Sequence, residues 1–172
     1  PDKFLYFVVG KASMINLFRS LNPINIIILA AYTLFMRLAI FMNLPETLNF
    51  EFLESYTNFF IQIPLTNSLS PLLNIVIASA LIFLQALLFN RIINNHGLLA
   101  KPSYLPALLY ITGSSLFLQF LILSPPLICN FLLIWMMDKF MKIGKAPNAM
   151  MMMLDVGMII AIGTLIYFPF IV

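Results

Sequence analysis

Charge is what this sequence has least of: six acidic and nine basic side chains in 172 residues, with one histidine and one cysteine. The lone Cys129 excludes an internal disulfide and a cysteine metal cluster. The lone His96, in NNHGL, excludes a histidine cluster for zinc or non-haem iron built from this chain. There is no glycine-rich phosphate loop, no CxxC and no GxSxG. No metal and no cofactor is therefore expected. The pI of about 9.2 does not mark a nucleic-acid surface, because the nine Lys and Arg come in twos and threes between apolar runs rather than in a patch.

What the chain has instead is apolar length. Hydrophobic residues make up 62% of it and charged residues 9%, far from the roughly half and quarter of a soluble domain. That composition reads as an integral membrane protein, with the lipid bilayer as its first partner. At about 20 apolar residues per span, 172 residues hold about five spans and no separate soluble domain. The expected fold is an all-α polytopic transmembrane helix bundle, with spans near 24–43, 71–93, 103–123, 125–143 and 148–171. Three helix starts carry a polar cap followed by proline: Asn22-Pro23, Ser70-Pro71 and Ser124-Pro125. With only Ser124, Pro125 and Pro126 between them, the third and fourth spans are expected to form a tight hairpin. Met14 is the expected natural start. Residues 1–13 then read as an upstream leader without the pattern of a signal peptide, and 14–172 as the N-terminal portion of a longer membrane domain.

Orientation follows from the excess of Lys and Arg in cytoplasmic loops. Lys3, Lys11 and Arg19 precede the first span, Arg91 and Lys101 lie between the second and third, and Lys139, Lys142 and Lys145 between the fourth and fifth. The alternate side has none. The N-terminus is therefore expected in the cytoplasm. The first external loop holds Glu46, Glu51 and Glu54. Within it Leu48, Phe52, Tyr56, Phe59, Phe60 and Ile63 share one helical face, and Glu51, Glu54, Ser55, Asn58 and Gln62 the other. An external interfacial amphipathic helix between spans one and two is expected there, packed on the bundle because its polar face is acidic.

Arg37 interrupts the apolar run LFMRLAIF, where a charge at the centre of a membrane helix costs about 2.5 to 3.5 kcal/mol. By helical rise it sits roughly 20 Å from the cytoplasmic end of its span, in the outer half. Two readings stay open: it snorkels outward or pairs with a carboxylate such as Glu46, or it faces a polar cavity and binds an anionic group. Asp155, about two turns into the fifth span, is either an interfacial carboxylate near a helix start or part of a proton or ligand site. Arg37 and Asp155 are the ligand-binding candidates. Asn74, Gln85, Gln119 and Asn130 suit interhelical hydrogen bonds, and Gly157 with Ala161, and Gly113, Ser114 and Ser115, suit close helix approach. Trp135 reads as packing. Met150 to Met153 point around the whole helix and cannot converge on a copper ion.

In MINLFRSLNPINIIILAAYTLFMRLAIF and FLQALLFNRIINNHGLLAKPSYLPALLY the chain resembles a family of uncharacterised multi-spanning inner-membrane proteins of Bacteroidota. The resemblance runs from Met14 to the end and implies further hydrophobic segments beyond it. It brings no catalytic residues. The sequence leaves open whether the protein is an enzyme. The first expectation is a non-catalytic transport or envelope-assembly component in the cell envelope. The alternative is a membrane-embedded glycosyltransferase-like enzyme acting on lipid-linked saccharides at the outer face. There Glu46, Glu51 or Glu54 would act as base or metal ligand on a sugar acceptor, and Arg37 would bind the lipid phosphate of the donor. A lipid-linked or other anionic small molecule is the implied ligand, and no protein partner is indicated.

Overall fold

A computed structural model of the chain describes residues 18–42, 70–144 and 148–171. All regular structure among them is helical: α1 (Ile24–Met36), α2 (Leu38–Met42), α3 (Pro71–Asn95), α4 (Leu105–Ser115), α5 (Leu118–Leu121), α6 (Pro125–Ile143), α7 (Ala149–Ile166) and a closing 3-10 turn (Phe168–Ile171). The segment where an external amphipathic helix is expected, with Glu46, Glu51 and Glu54, lies outside the described residues.

Helix α3 is the centre of the bundle and packs against α1, α4, α5 and α6. Leu29, Ala78, Ile82, Ala86, Ala107, Ile111, Leu123 and Leu127 form the core, closed at one end by Phe18. Helix α7 packs on α6 and on the 3-10 turn. Small residues at the crossings, Ala78, Ala86 and Ala107, let α3 and α4 approach without a wide apolar filling.

The ends of α3 follow from sequence chemistry. Ser70 Oγ accepts the Leu73 N–H at 3.4 Å, with Pro71 at the first helical position. At the other end Gly97 adopts φ +64°, the Leu98 N–H reaches back to the Ile93 carbonyl at 3.2 Å and the Gly97 N–H to the Asn94 carbonyl at 3.2 Å. This left-handed turn closes the helix at low cost only with glycine. Asn94 then exchanges two hydrogen bonds with the Ser103 backbone, at 3.0 and 3.1 Å, which fixes the connection to α4. The other two expected caps behave differently. Pro23 is itself the cap of α1, with the Asn22 side chain accepting from the Ile24 N–H, and Ser124 makes no side-chain cap on α6.

Among the described residues two helices, α3 with 25 residues and α7 with 18, are long and apolar enough to cross a membrane, fewer than the five expected spans. The reasons are local. The first expected span stops as a regular helix at Arg37, whose φ −104° and ψ 3° leave the helical region, so α1 has 13 residues. The third is divided into α4 and the four-residue α5. Helix α6 is 19 residues long but carries Asp138, Lys139 and Lys142 in its last turns. Glycine placement also differs from expectation. A Cβ at Gly113 or Gly157 would meet nothing within 4 Å, so neither mediates a close approach, whereas one at Gly163 would strike the Phe170 ring.

Around the apolar core the described residues present an apolar exterior and bury several polar side chains. Ile27, Phe35, Leu109, Leu116, Met150 and Leu165 are exposed, while Asn25, Thr33, Arg37, Asn74, Gln85 and Asn90 are buried. Such an apolar exterior suits contact with lipid or with other apolar surfaces.

Candidate functional site

The site is built around a break. In α4 the hydroxyls of Ser114 and Ser115 both turn back to the Ile111 carbonyl, at 3.1 and 2.7 Å, and that of Thr112 bonds the Leu108 carbonyl at 2.8 Å. These side chains compete with the backbone ladder and weaken the helix where it ends. Phe117 is extended (φ −105°, ψ 122°), α5 adds a single turn, and Ile122 and Ser124 are extended again before Pro125. A residue ahead of proline disfavours helix, and prolines 125 and 126 offer no N–H to the carbonyls behind them.

Such a break strands backbone groups that an apolar medium cannot satisfy. Three side chains take them up. Ser124 Oγ donates to the Gln119 carbonyl. Arg37 Nη2 donates to the Phe120 carbonyl at 2.7 Å. Asn74 Oδ1 accepts the Leu123 N–H at 2.8 Å. Below this layer Gln85 Nε2 donates to the Leu127 carbonyl at 2.7 Å, and the Tyr110 hydroxyl donates to Gln85 Oε1 at 3.0 Å. Tyr32 and Thr112 share a hydrogen bond at 3.1 Å that ties α1 to α4.

Arg37 arrives at this point because its own helix is interrupted there. Its N–H bonds the Leu34 carbonyl at 3.1 Å, one residue short of helical register, and α2 restarts with Ile40 and Phe41 bonding the Arg37 carbonyl. Thr33, one turn earlier on the same face, is buried too and bonds the Leu29 carbonyl. Arg37 and Asn74 are each 1% exposed. Neither is saturated: Arg37 Nε and Nη1 and Asn74 Nδ2 have no hydrogen-bond partner among the described residues. Neither the snorkelling geometry nor an ion pair to a described residue holds Arg37. Glu46, Glu51 and Glu54 lie outside the described residues. The site thus presents a buried, forked cation with spare donors, beside an amide with spare donors, at the junction of two interrupted helices.

Asp155 is elsewhere. Lys139 Nζ donates to Asp155 Oδ2 at 2.6 Å, joining α6 to α7, and the carboxylate side chain is 41% exposed. The structure does not bring Asp155 and Arg37 together. Asn130 lies half-buried on α6. Trp135 is not packed inside but stands 52% exposed, on the wall of a cleft between α3 and α6. Among the described residues no group of three or more His, Cys, Asp or Glu is placed to hold a metal ion.

The role of Ser124 and the break itself are not apparent from sequence reading. Their signals are present, a run of Thr112, Gly113, Ser114 and Ser115 followed by Ser124-Pro125-Pro126. Comparison with known proteins finds no matching family model, no similar curated protein and no similar solved structure.

Proposed function

We propose that the protein is a non-catalytic integral membrane component, of the transport or envelope-assembly kind, which holds the anionic group of a small molecule at Arg37. The supporting observation is the buried guanidinium with Nε and Nη1 unpartnered while Nη2 is engaged at the Phe120 carbonyl. Capping one carbonyl needs only a neutral donor. A guanidinium adds a charge that is costly to bury alone and a fork that matches carboxylate or phosphate. Interrupted helices meeting at a polar side chain are also how carriers line their ligand sites.

On this reading all five helical segments enter the bilayer, the broken ones tolerated because neighbouring side chains satisfy the freed backbone. The positive-inside bias puts the N-terminus and the His96 end in the cytoplasm and Arg37 in the outer half of a bacterial inner membrane. The chain then sits with the multi-spanning Bacteroidota proteins that it resembles.

The test is functional. In the full-length protein, Arg37→Lys and Arg37→Leu are compared for membrane accumulation and for rescue of the growth or envelope defect caused by deletion. Both variants are expected to accumulate, with partial rescue by Lys and none by Leu. Full rescue by the Leu variant overturns the proposal. The same guanidinium would suit the phosphate of a lipid-linked saccharide donor, so a Glu46→Gln, Glu51→Gln, Glu54→Gln variant separates the two readings. A carrier keeps its function; an enzyme using those carboxylates loses it.

A further inference from the structure

At the far end of α3 and α6 from Arg37, a cleft of about 340 Å³ opens between the two helices. Leu88, Phe131 and Trp135 form its apolar wall, and Arg91, Asp138 and Lys142 its polar rim. Two cations against one carboxylate leave the rim net positive. Asp138 is already engaged on both oxygens, Oδ1 by His96 Nε2 at 3.0 Å and Oδ2 by Lys142 Nζ, one helical turn away. Arg91 makes no ion pair among the described residues.

An apolar wall and a cationic rim in one cleft select for an amphiphile. A free phosphate would answer Arg91 but leave Phe131 and Trp135 bare. A neutral lipid would cover the wall and leave the guanidinium unanswered. We propose that this cleft seats one anionic phospholipid drawn from the adjacent leaflet, its phosphate on Arg91 and Lys142 and an acyl chain along Phe131 and Trp135. Basic pockets between membrane helices on the cytoplasmic side are suited to such headgroups, and a forked guanidinium matches phosphate oxygens. The inference rests on the reading that the chain spans the membrane with this end cytoplasmic, and is independent of the ligand at Arg37. It also gives the exposed ring of Trp135, about one helical turn inside Asp138, an apolar contact.

Trp135 is the one tryptophan in the sequence and serves as the probe. The chain is placed in phosphatidylcholine nanodiscs that contain equal mole fractions of either brominated phosphatidylglycerol or brominated phosphatidylcholine, and quenching of its fluorescence is titrated. Half-quenching by phosphatidylglycerol is expected at about a tenfold lower mole fraction than by phosphatidylcholine. In Arg91→Gln and Lys142→Gln, checked for unchanged helix content, the preference should shrink to within about twofold, and Arg91→Lys should keep part of it. Equal quenching by both lipids in the wild-type chain overturns the lipid site while leaving the membrane reading intact. A preference that survives both glutamine variants does the same. Loss of the preference on adding millimolar glycerol phosphate assigns the rim to a soluble phosphate and overturns the lipid as occupant. Absence of quenching by either lipid overturns the membrane reading, and the lipid site with it.

Discussion

Arg37 and Asn74, from different helices, grip the same four-residue stretch of backbone, Arg37 at the Phe120 carbonyl and Asn74 at the Leu123 N–H, at 2.7 and 2.8 Å. With Ser124, these side chains satisfy the backbone groups that the break between α4 and α6 leaves open. Asn74→Ala should therefore leave the Leu123 N–H open in an apolar setting and cost about 1 to 3 kcal/mol. Reversible unfolding in mixed micelles reads this directly. An Asn74→Ala chain as stable as wild type would show that the break is satisfied by other means.

Gln85 and Tyr110 make a second, deeper link. Tyr110→Phe removes one hydrogen bond and should cost under about 1 kcal/mol, as interhelical bonds in membranes usually do. Gln85→Leu leaves the Tyr110 hydroxyl without its acceptor and should cost more. The double variant should fall short of the sum by about the worth of the Gln85–Tyr110 bond, which both single changes break, while the bond from Gln85 to the Leu127 carbonyl is lost only with Gln85. Additive losses in the same unfolding assay would mean that the two residues act separately.

Gly97 closes α3 at φ +64° with open space around its α-carbon. Gly97→Ala should then cost about 1 to 2 kcal/mol through backbone strain alone, and Gly97→Asn less, since asparagine tolerates the left-handed region. Melting of the purified variants checks the order. Equal losses for Ala and Asn would point to a role other than conformation.

Lys139 and Asp155 join α6 to α7 at 2.6 Å. Asp155→Lys should place two cations together and reduce membrane accumulation, and adding Lys139→Asp should restore it. Failure of the exchanged pair to restore accumulation, with the single variant defective, would mean that Asp155 does more than hold α7 in place.

The helical skeleton could be read from composition and from Pro and Gly punctuation. The expected segment 71–93 is α3, Pro71–Asn95, and the expected 125–143 is α6, Pro125–Ile143. Hydropathy does not reveal the breaks, because a single non-helical residue such as Arg37 or Phe117 leaves the apolar average of a twenty-residue window almost unchanged. The break near Ser115 depends on hydroxyls bonding back to Ile111, a local competition that residue counts do not register. Arg37 stands out in the sequence as a charge in an apolar run. Its acceptor does not, because the Phe120 carbonyl is 83 residues away and is a backbone group with no signature of its own. Asp155 stands out equally and has an ordinary ion-pair partner, so charge within a span identifies candidates without ranking them.

Whether the spare donors of Arg37 serve a ligand or the fold is decided most directly by the stability of Arg37→Leu. Leucine leaves the Phe120 carbonyl open, at a cost of about 1 to 3 kcal/mol, but removes a buried charge that no described carboxylate balances and whose desolvation costs more than that. If the donors serve a ligand, purified Arg37→Leu melts at or above the wild-type temperature while failing to rescue the deletion. A melting temperature many degrees below wild type would contradict the ligand role and make the guanidinium a structural clamp.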